Sequence, residues 1–375
     1  MVICDRTLNM TIPRIEQTPI DLPALGFSLA LGGVGGLVAQ RLHLPLGMLL
    51  GSLLAVAVAA IANWRPFGIL VGVPAPLRFF FVPVIGVSIG GAFTPQILRE
   101  VPGWAPSLIA LLVYLPLALG AGYAIYHRLG GIPKVTAFFG AVPGGLIETV
   151  TLGEAAGADP RMLTLLQFLR LILCIIFVPI AFTFLTGHAV GSASGVQMTG
   201  ASAPIGVTDA LVLLVAAVAG AAIGKRLRLP AAIMTGPILL SAIAHLTGLT
   251  QTVPPAWAVT LTQLIVGTSL GARFSGLSRG MLGLALRLAM LNSAVSLALA
   301  LGFAGALSGL VGEPASAVFL AFAPGGLAEM SLIALSLQMS VVYVSAHHIA
   351  RIVLSVTMAQ LLSRRIRTQG AADGR

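Results

Sequence analysis

The sequence predicts an all-α polytopic membrane protein of two inverted-topology repeats, with about ten transmembrane helices and two broken or re-entrant segments. Composition, an internal duplication and the placement of positive charge lead to that reading. Of the 375 residues, 57% are hydrophobic and only 9% charged, and the mean hydropathy is +1.02. A soluble domain carries about 25% charge, so most of this chain belongs in a bilayer.

Apolar stretches recur at 24–40, 46–62, 77–92, 103–126, 133–157 and 162–186, and again at 208–224, 230–246, 256–272, 280–309, 315–340 and 341–362. Most approach the roughly 20 residues that a helix needs to cross hydrocarbon. The two sets are copies. QRLHLP at 40–45 matches KRLRLP at 225–230, and Gly51 matches Gly236, at an offset of 185. GVSIGGAF at 86–93 matches GTSLGARF at 267–274 at an offset of 181, which also carries PGGLIE (143–148) onto PGGLAE (324–329) and Arg170 onto Arg351. An ordered set of this kind is the mark of duplication.

In chain order, residues 1–22 form a polar tail, 23–186 the first repeat, 187–207 a linker, 208–363 the second repeat and 364–375 a basic tail. The first tail holds Asp5, Arg6, Arg14 and Glu16 with no apolar core, unlike a cleaved signal. Charge then decides how the repeats relate. With Arg170 and Arg351 set aside as intramembrane, 19 of the 21 Lys and Arg remain. If all twelve segments cross, nine of the 19 lie outside and the distribution discriminates nothing. If each PGG segment returns to the side it left, five crossings per copy invert the repeats, and only Arg41 and Arg99 lie outside. The cluster Arg364, Arg365 and Arg367 then lies inside, and the Lys/Arg-free linker outside. Both termini are expected in the cytoplasm.

Proline removes an amide hydrogen, and two following glycines favour non-helical backbone. Pro143, Gly144 and Gly145, and likewise Pro324, Gly325 and Gly326, are therefore expected to break a helix. Irregular backbone survives at membrane depth only inside protein or beside water. Glu148 and Glu329 fall in the first turn of the helix that resumes, where exposed amides favour an anion. Each is either a plain capping carboxylate or a group that exchanges a proton or cation. Ionisable groups in membrane segments are usually functional.

Arg170 and Arg351 lie in apolar runs, each with a polar residue three positions earlier on the same face, Gln167 and His348. Each guanidinium has three candidate partners: the Glu of its own repeat, the Glu of the other, or an anionic substrate. A structural Glu–Arg pair is the plainest alternative. Ser88 and Ser269, in the two GxSxGxxF segments, more often mark close helix packing than a ligand site.

The formal charge of +10 is scattered through short loops, so no basic face for nucleic acid forms. Cys4 and Cys174 are too few and too far apart for a disulfide framework or a thiolate metal site. The adjacent His347 and His348 point about 100° apart on a helix and do not make a metal site by themselves. No phosphate loop and no Ser-His-Asp order appears. Neither cofactor nor resident metal is expected. The expected partners are the lipid bilayer and a small-molecule or ion substrate.

The twin PGGLxE copies, the KRLRLP turn and the GxSxGxxF segment resemble the AbrB family of bacterial inner-membrane proteins over about residues 24–363. The resemblance implies a duplicated membrane module in the inner membrane. Members are often labelled ammonia monooxygenases, and one is described as a regulator of gene expression. The residues support neither label: copper or iron ligands are wanting, as is a soluble basic module for DNA. Duplicated, inverted halves with paired broken helices are instead the pattern of secondary transporters. The expected function is proton- or cation-coupled movement of a small metabolite, an anion among the candidates, by alternating access. A membrane sensor that affects gene expression indirectly is the alternative, with a channel or a monooxygenase behind it.

Overall fold

The computed structural model describes residues 22–65, 68, 73–186 and 205–372. The expected N-terminal tail up to residue 21 and most of the linker lie outside these residues, as do the side chains of Arg364, Arg365 and Arg367. Among the described residues there is no strand.

The first half consists of α1 (Leu22–Arg41), α2 (Gly47–Ile61), α3 (Ala75–Gly90), a short α4 (Pro95–Glu100), α5 (Ala105–Ala124), α6 (Lys134–Ala141), α7 (Leu146–Ala155) and α8 (Pro160–Thr186). The second consists of α9 (Val207–Arg226), α10 (Ala232–Leu246), α11 (Ala256–Gly271), α12 (Arg279–Val311), α13 (Ala315–Phe322), α14 (Leu327–Ser336) and α15 (Val341–Ala372). Six helical stretches are long and apolar enough to cross a membrane, namely Leu22–Arg41, Pro95–Leu129, Pro160–Phe184, Val207–Arg226, Gly280–Val311 and Val341–Ser363. The helices α2, α3, α10 and α11 are shorter, at 15 or 16 residues. Large apolar side chains face outward along α1 (Val34, Leu37, Val38) and α9 (Leu211, Leu214, Val218), as a surface solvated by lipid requires. This all-helical chain fits a multi-pass membrane protein.

The matched sequence stretches fold alike. In the QRLHLP turn His43 and Leu46 take left-handed backbone, with φ of 55° and 48°; in the KRLRLP turn Arg228 and Ala231 do the same, at 52° and 49°. Each turn folds two helices into an antiparallel pair whose backbones touch. A Cβ on Gly35 would overlap the Gly51 carbonyl, and a Cβ on Gly236 would overlap that of Gly220. Small residues permit this approach, which replaces a hydrophobic driving force absent in lipid.

The halves also exchange helices: α2 packs on α11, and α10 on α3. The glycines of the GxSxG segments are where they meet. Gly86 lies against the Met234 carbonyl on α10, and Gly267 against the Leu49 carbonyl on α2. Ser88 and Ser269 are buried in these seams, in keeping with a packing role. The other helices, α5 to α8 and α12 to α15, pack mainly among themselves, with α14 also touching α3, and hold the two broken segments.

Both broken segments double back. The first leaves α5 through a π-helical turn, Ile125–Leu129, runs inward as α6, and returns as α7. Its two ends meet, because the Asp159 amide donates to Thr136 Oγ1 at 2.9 Å, and Gly153 of α7 packs on Phe139 of α6. The second is α13 and α14, whose ends meet where Glu313 hydrogen-bonds Ser340. That mouth lies at the opposite end of α5, since Trp104 packs edge-on against Tyr343 (5.4 Å) and Ser107 meets His347 at 2.8 Å. A 20-residue helix is about 30 Å long, so the two hairpins open about a membrane thickness apart.

Candidate functional site

Each hairpin breaks where the sequence places Pro-Gly-Gly, and the first half-helix of each ends in carbonyls that have no following turn to accept from. Such groups cost several kcal/mol in hydrocarbon, and here a buried arginine serves them. Arg170 donates to the Val142 carbonyl at 2.6 Å, and Arg351 donates to those of Ala323 and Gly325, the latter at 2.6 Å. A cation at a helix C-terminus also meets the negative end of the dipole. The sequence had offered each guanidinium a Glu or a substrate; in the structure the partners are backbone carbonyls of its own half.

Gln167 and His348 hold these arginines in the same way. Gln167 donates from Nε2 to the Phe139 carbonyl (2.6 Å) while its Oε1 accepts from Arg170 (2.7 Å). His348 Nε2 meets the Leu320 carbonyl at 2.9 Å and Nδ1 meets Arg351 at 3.1 Å. A carbonyl only accepts, so Nε2 carries the hydrogen and Nδ1 offers its lone pair to the guanidinium. His348 is thus neutral and does the work of a glutamine. Apart from the bond from Arg351 to Gly325, each of these contacts recurs at the spacing of 181 that relates the two sequence copies.

The carboxylates sit where expected, in the first turns of α7 and α14. Glu148 is half-buried and Glu329 buried. A Cβ on Gly326 would overlap the Glu329 carboxylate, which folds back over the break; the Glu148 carboxylate lies 3.4 Å from the corresponding point on Gly145. Pro143 and Gly144 are buried beside them.

Each break packs on a long helix of the other half. Gly144 lies against Ser355 and the Arg351 carbonyl, and Gly145 against Ile352 and Val356, all on α15. Gly326 in turn rests on Leu171 of α8. The glycines of both breaks therefore lie on the stretches of α8 and α15 that carry the arginines, with Glu148 and Glu329 folded beside them and Pro143 and Pro324 buried at the breaks.

The sequence reading missed several polar groups there. Tyr114 on α5 is fully buried, with its hydroxyl unpartnered, and lies within reach of the charges of both arginines. Phe303 and Phe322 pack its ring edge-on at 5.5 and 5.2 Å. Asn292 on α12 donates to the Tyr126 hydroxyl at 2.9 Å, next to Arg170. Cys174 and Ser355 each lie four residues, about one turn, beyond their arginine and are equivalent at the 181 spacing. A comparison of the repeats carried four residues past the arginines would have found that pair. An apolar cavity of 710 Å³ opens between α5, α6 and α15, walled by Leu115, Leu119, Phe138, Leu354 and Met358, apart from these polar groups.

At the mouth of the second hairpin the Glu313 carboxyl is pushed above the usual carboxylate range, first by burial and then by Glu100; its hydrogen bond from Ser340 acts the other way.

Known proteins resemble this chain over most of its length. A Bacillus subtilis (strain 168) protein named "Uncharacterized protein YhjN" is 24% identical over 357 residues, covering 88% of this chain and 90% of its own. An Escherichia coli (strain K12) protein named "Putative regulator AbrB" is 28% identical over 298 residues, covering 78% and 82%. The model of the AbrB family, described as "Transition state regulatory protein AbrB", matches residues 67–367, a range that takes in both breaks and both arginines, and the chain belongs to that family.

Proposed function

We propose that this protein is a secondary transporter of two inverted repeats, which carries a small solute across the bacterial inner membrane by alternating access. The observation that carries the reading is the pair of hairpins that open at opposite ends of α5, each with its break packed on a long helix of the other half. With hairpins so arranged, the six long helices and four shorter ones make ten crossings, and the positive-inside rule puts both termini in the cytoplasm. Breaks packed on the opposite half suit a midplane site that each side reaches in turn.

Glu148 and Glu329 take up the coupling proton or cation, and Arg170 and Arg351 fix the broken ends against which they move. His348 is no proton carrier, because both ring nitrogens are committed. An ion gradient is the driving force, since the sequence has no nucleotide-binding loop. Catalysis forms no part of this proposal.

The test is counterflow in vesicles containing the purified protein, with labelled organic acids and amines as the solutes. Exchange is expected in wild type and a fall of tenfold or more in Glu148→Gln and Glu329→Gln; unchanged exchange in both would remove the carboxylates from the mechanism. One relative's name favours a second reading, a membrane regulator that binds a ligand without moving it. Saturable binding with no exchange in the same vesicles would select it.

A further inference from the structure

Buried donors without acceptors surround the two arginines. Both guanidiniums hydrogen-bond neutral partners, which are carbonyls, Gln167 and His348. On both, Nε is buried with no acceptor. The two are neighbours: Gly144, two residues past the Val142 carbonyl that Arg170 holds, packs on Ser355 and the Arg351 carbonyl, and Tyr114 packs on Phe322, next to the Ala323 carbonyl that Arg351 holds. The Tyr114 hydroxyl and the Ser355 hydroxyl are likewise buried without a partner. Two N–H groups and two O–H groups, drawn from α5, α8 and α15, thus lack acceptors around a pair of like charges.

We infer that this cluster of donors binds a small monocarboxylate, held by the Nε edges of Arg170 and Arg351 and by the hydroxyls of Tyr114 and Ser355. One negative charge relieves the repulsion of the guanidiniums, and its oxygens accept what the four donors offer. The planar guanidinium edge matches a carboxylate better than a spherical ion. The aromatic wall of Phe303 and Phe322 around Tyr114 suits a short apolar tail and disfavours strongly hydrated sulfate or phosphate. The inference rests on the transport reading only for how the anion arrives and leaves; the site itself is a matter of binding.

The experiment is thermal unfolding of the full-length protein in nonionic detergent, titrated with sodium propionate, chloride or sulfate at constant ionic strength. Propionate is expected to raise the midpoint saturably, and chloride and sulfate to do so at least tenfold less potently. Tyr114→Phe, which keeps the ring contacts, and Ser355→Ala are expected to weaken propionate at least fivefold. Absence of saturation, an equal response to chloride, or unchanged affinity in both variants would overturn the assignment. If either variant fails to fold, the comparison of anions on wild type decides alone. Counterflow of propionate separates the two proposals: binding without exchange removes the transporter and keeps the site, whereas exchange of other solutes without propionate binding does the reverse.

Discussion

The two breaks share a motif and an arginine clamp, yet they reach their turns by different means. Gly145 begins α7 in left-handed backbone, with φ of 66°, which a side chain resists. Gly326 begins α14 in extended backbone, with φ of −80°, which any residue adopts; what it lacks is the Cβ that would displace Glu329. The first glycine is required by its backbone, the second by its neighbour. Glu148 is correspondingly half-buried and Glu329 buried. One motif is held in two conformations, and substitutions can test what each requires.

The largest effect is expected where the breaks are alike. Lysine at 170 or 351 keeps the charge but cannot span the carbonyl and Gln167 or His348 at once. About 1.5–3 kcal/mol should be lost per abandoned charged hydrogen bond, read as a lower unfolding midpoint in detergent, with counterflow down more than tenfold. Equal defects in Arg170→Lys and Arg351→Lys would bear out the common clamp.

Next come the glycines, where the breaks differ. Gly145→Ala should destabilise by about 1–2 kcal/mol through left-handed strain, and by more if Val356 cannot yield. Gly326→Ala should leave stability nearly intact yet impair exchange as much as Glu329→Ala does. The double variant Gly326→Ala/Glu329→Ala should then be no worse than either single one; an additive loss would break the comparison.

A smaller effect is expected at the residues that hold the arginines. His348→Gln copies the first half into the second and should keep exchange within about twofold, with the pH profile unmoved, whereas His348→Leu should fail. A shifted pH profile in His348→Gln would show that the imidazole titrates after all.

The smallest effect concerns Glu313. Its folded carboxyl titrates above the ordinary range, so the fold favours the protonated form. That contribution is full below the unfolded carboxylate value and is lost as pH rises through the raised folded value. Unfolding midpoints should fall slightly with pH across that window in wild type and stay level in Glu313→Gln.

Much of this was legible before the structure. Pro143 and Pro324 mark breaks because proline and glycine act on their own backbone, whatever surrounds them. The position of each Glu in a first turn and the spacing from Gln167 to Arg170 and from His348 to Arg351 follow from helical period alone. Tyr114 and Asn292 were not legible, because their counterparts in the other copy, Val295 and Leu111, are apolar; nothing repeats at those positions to draw attention. The arginines' partners were not legible either, since a carbonyl at a helix end carries no sequence signal.

The sequence by itself determined a membrane chain, duplicated, with two broken helices and a carboxylate after each break, because hydropathy, helical period and proline chemistry act over a few neighbouring residues. Only the tertiary structure decided that the halves exchange helices, that each break packs on the opposite half, and that a guanidinium meets a carbonyl 28 residues earlier in the chain. Those outcomes depend on which segments approach, and approach is set by glycine seams and buried polar groups that must all find partners at once.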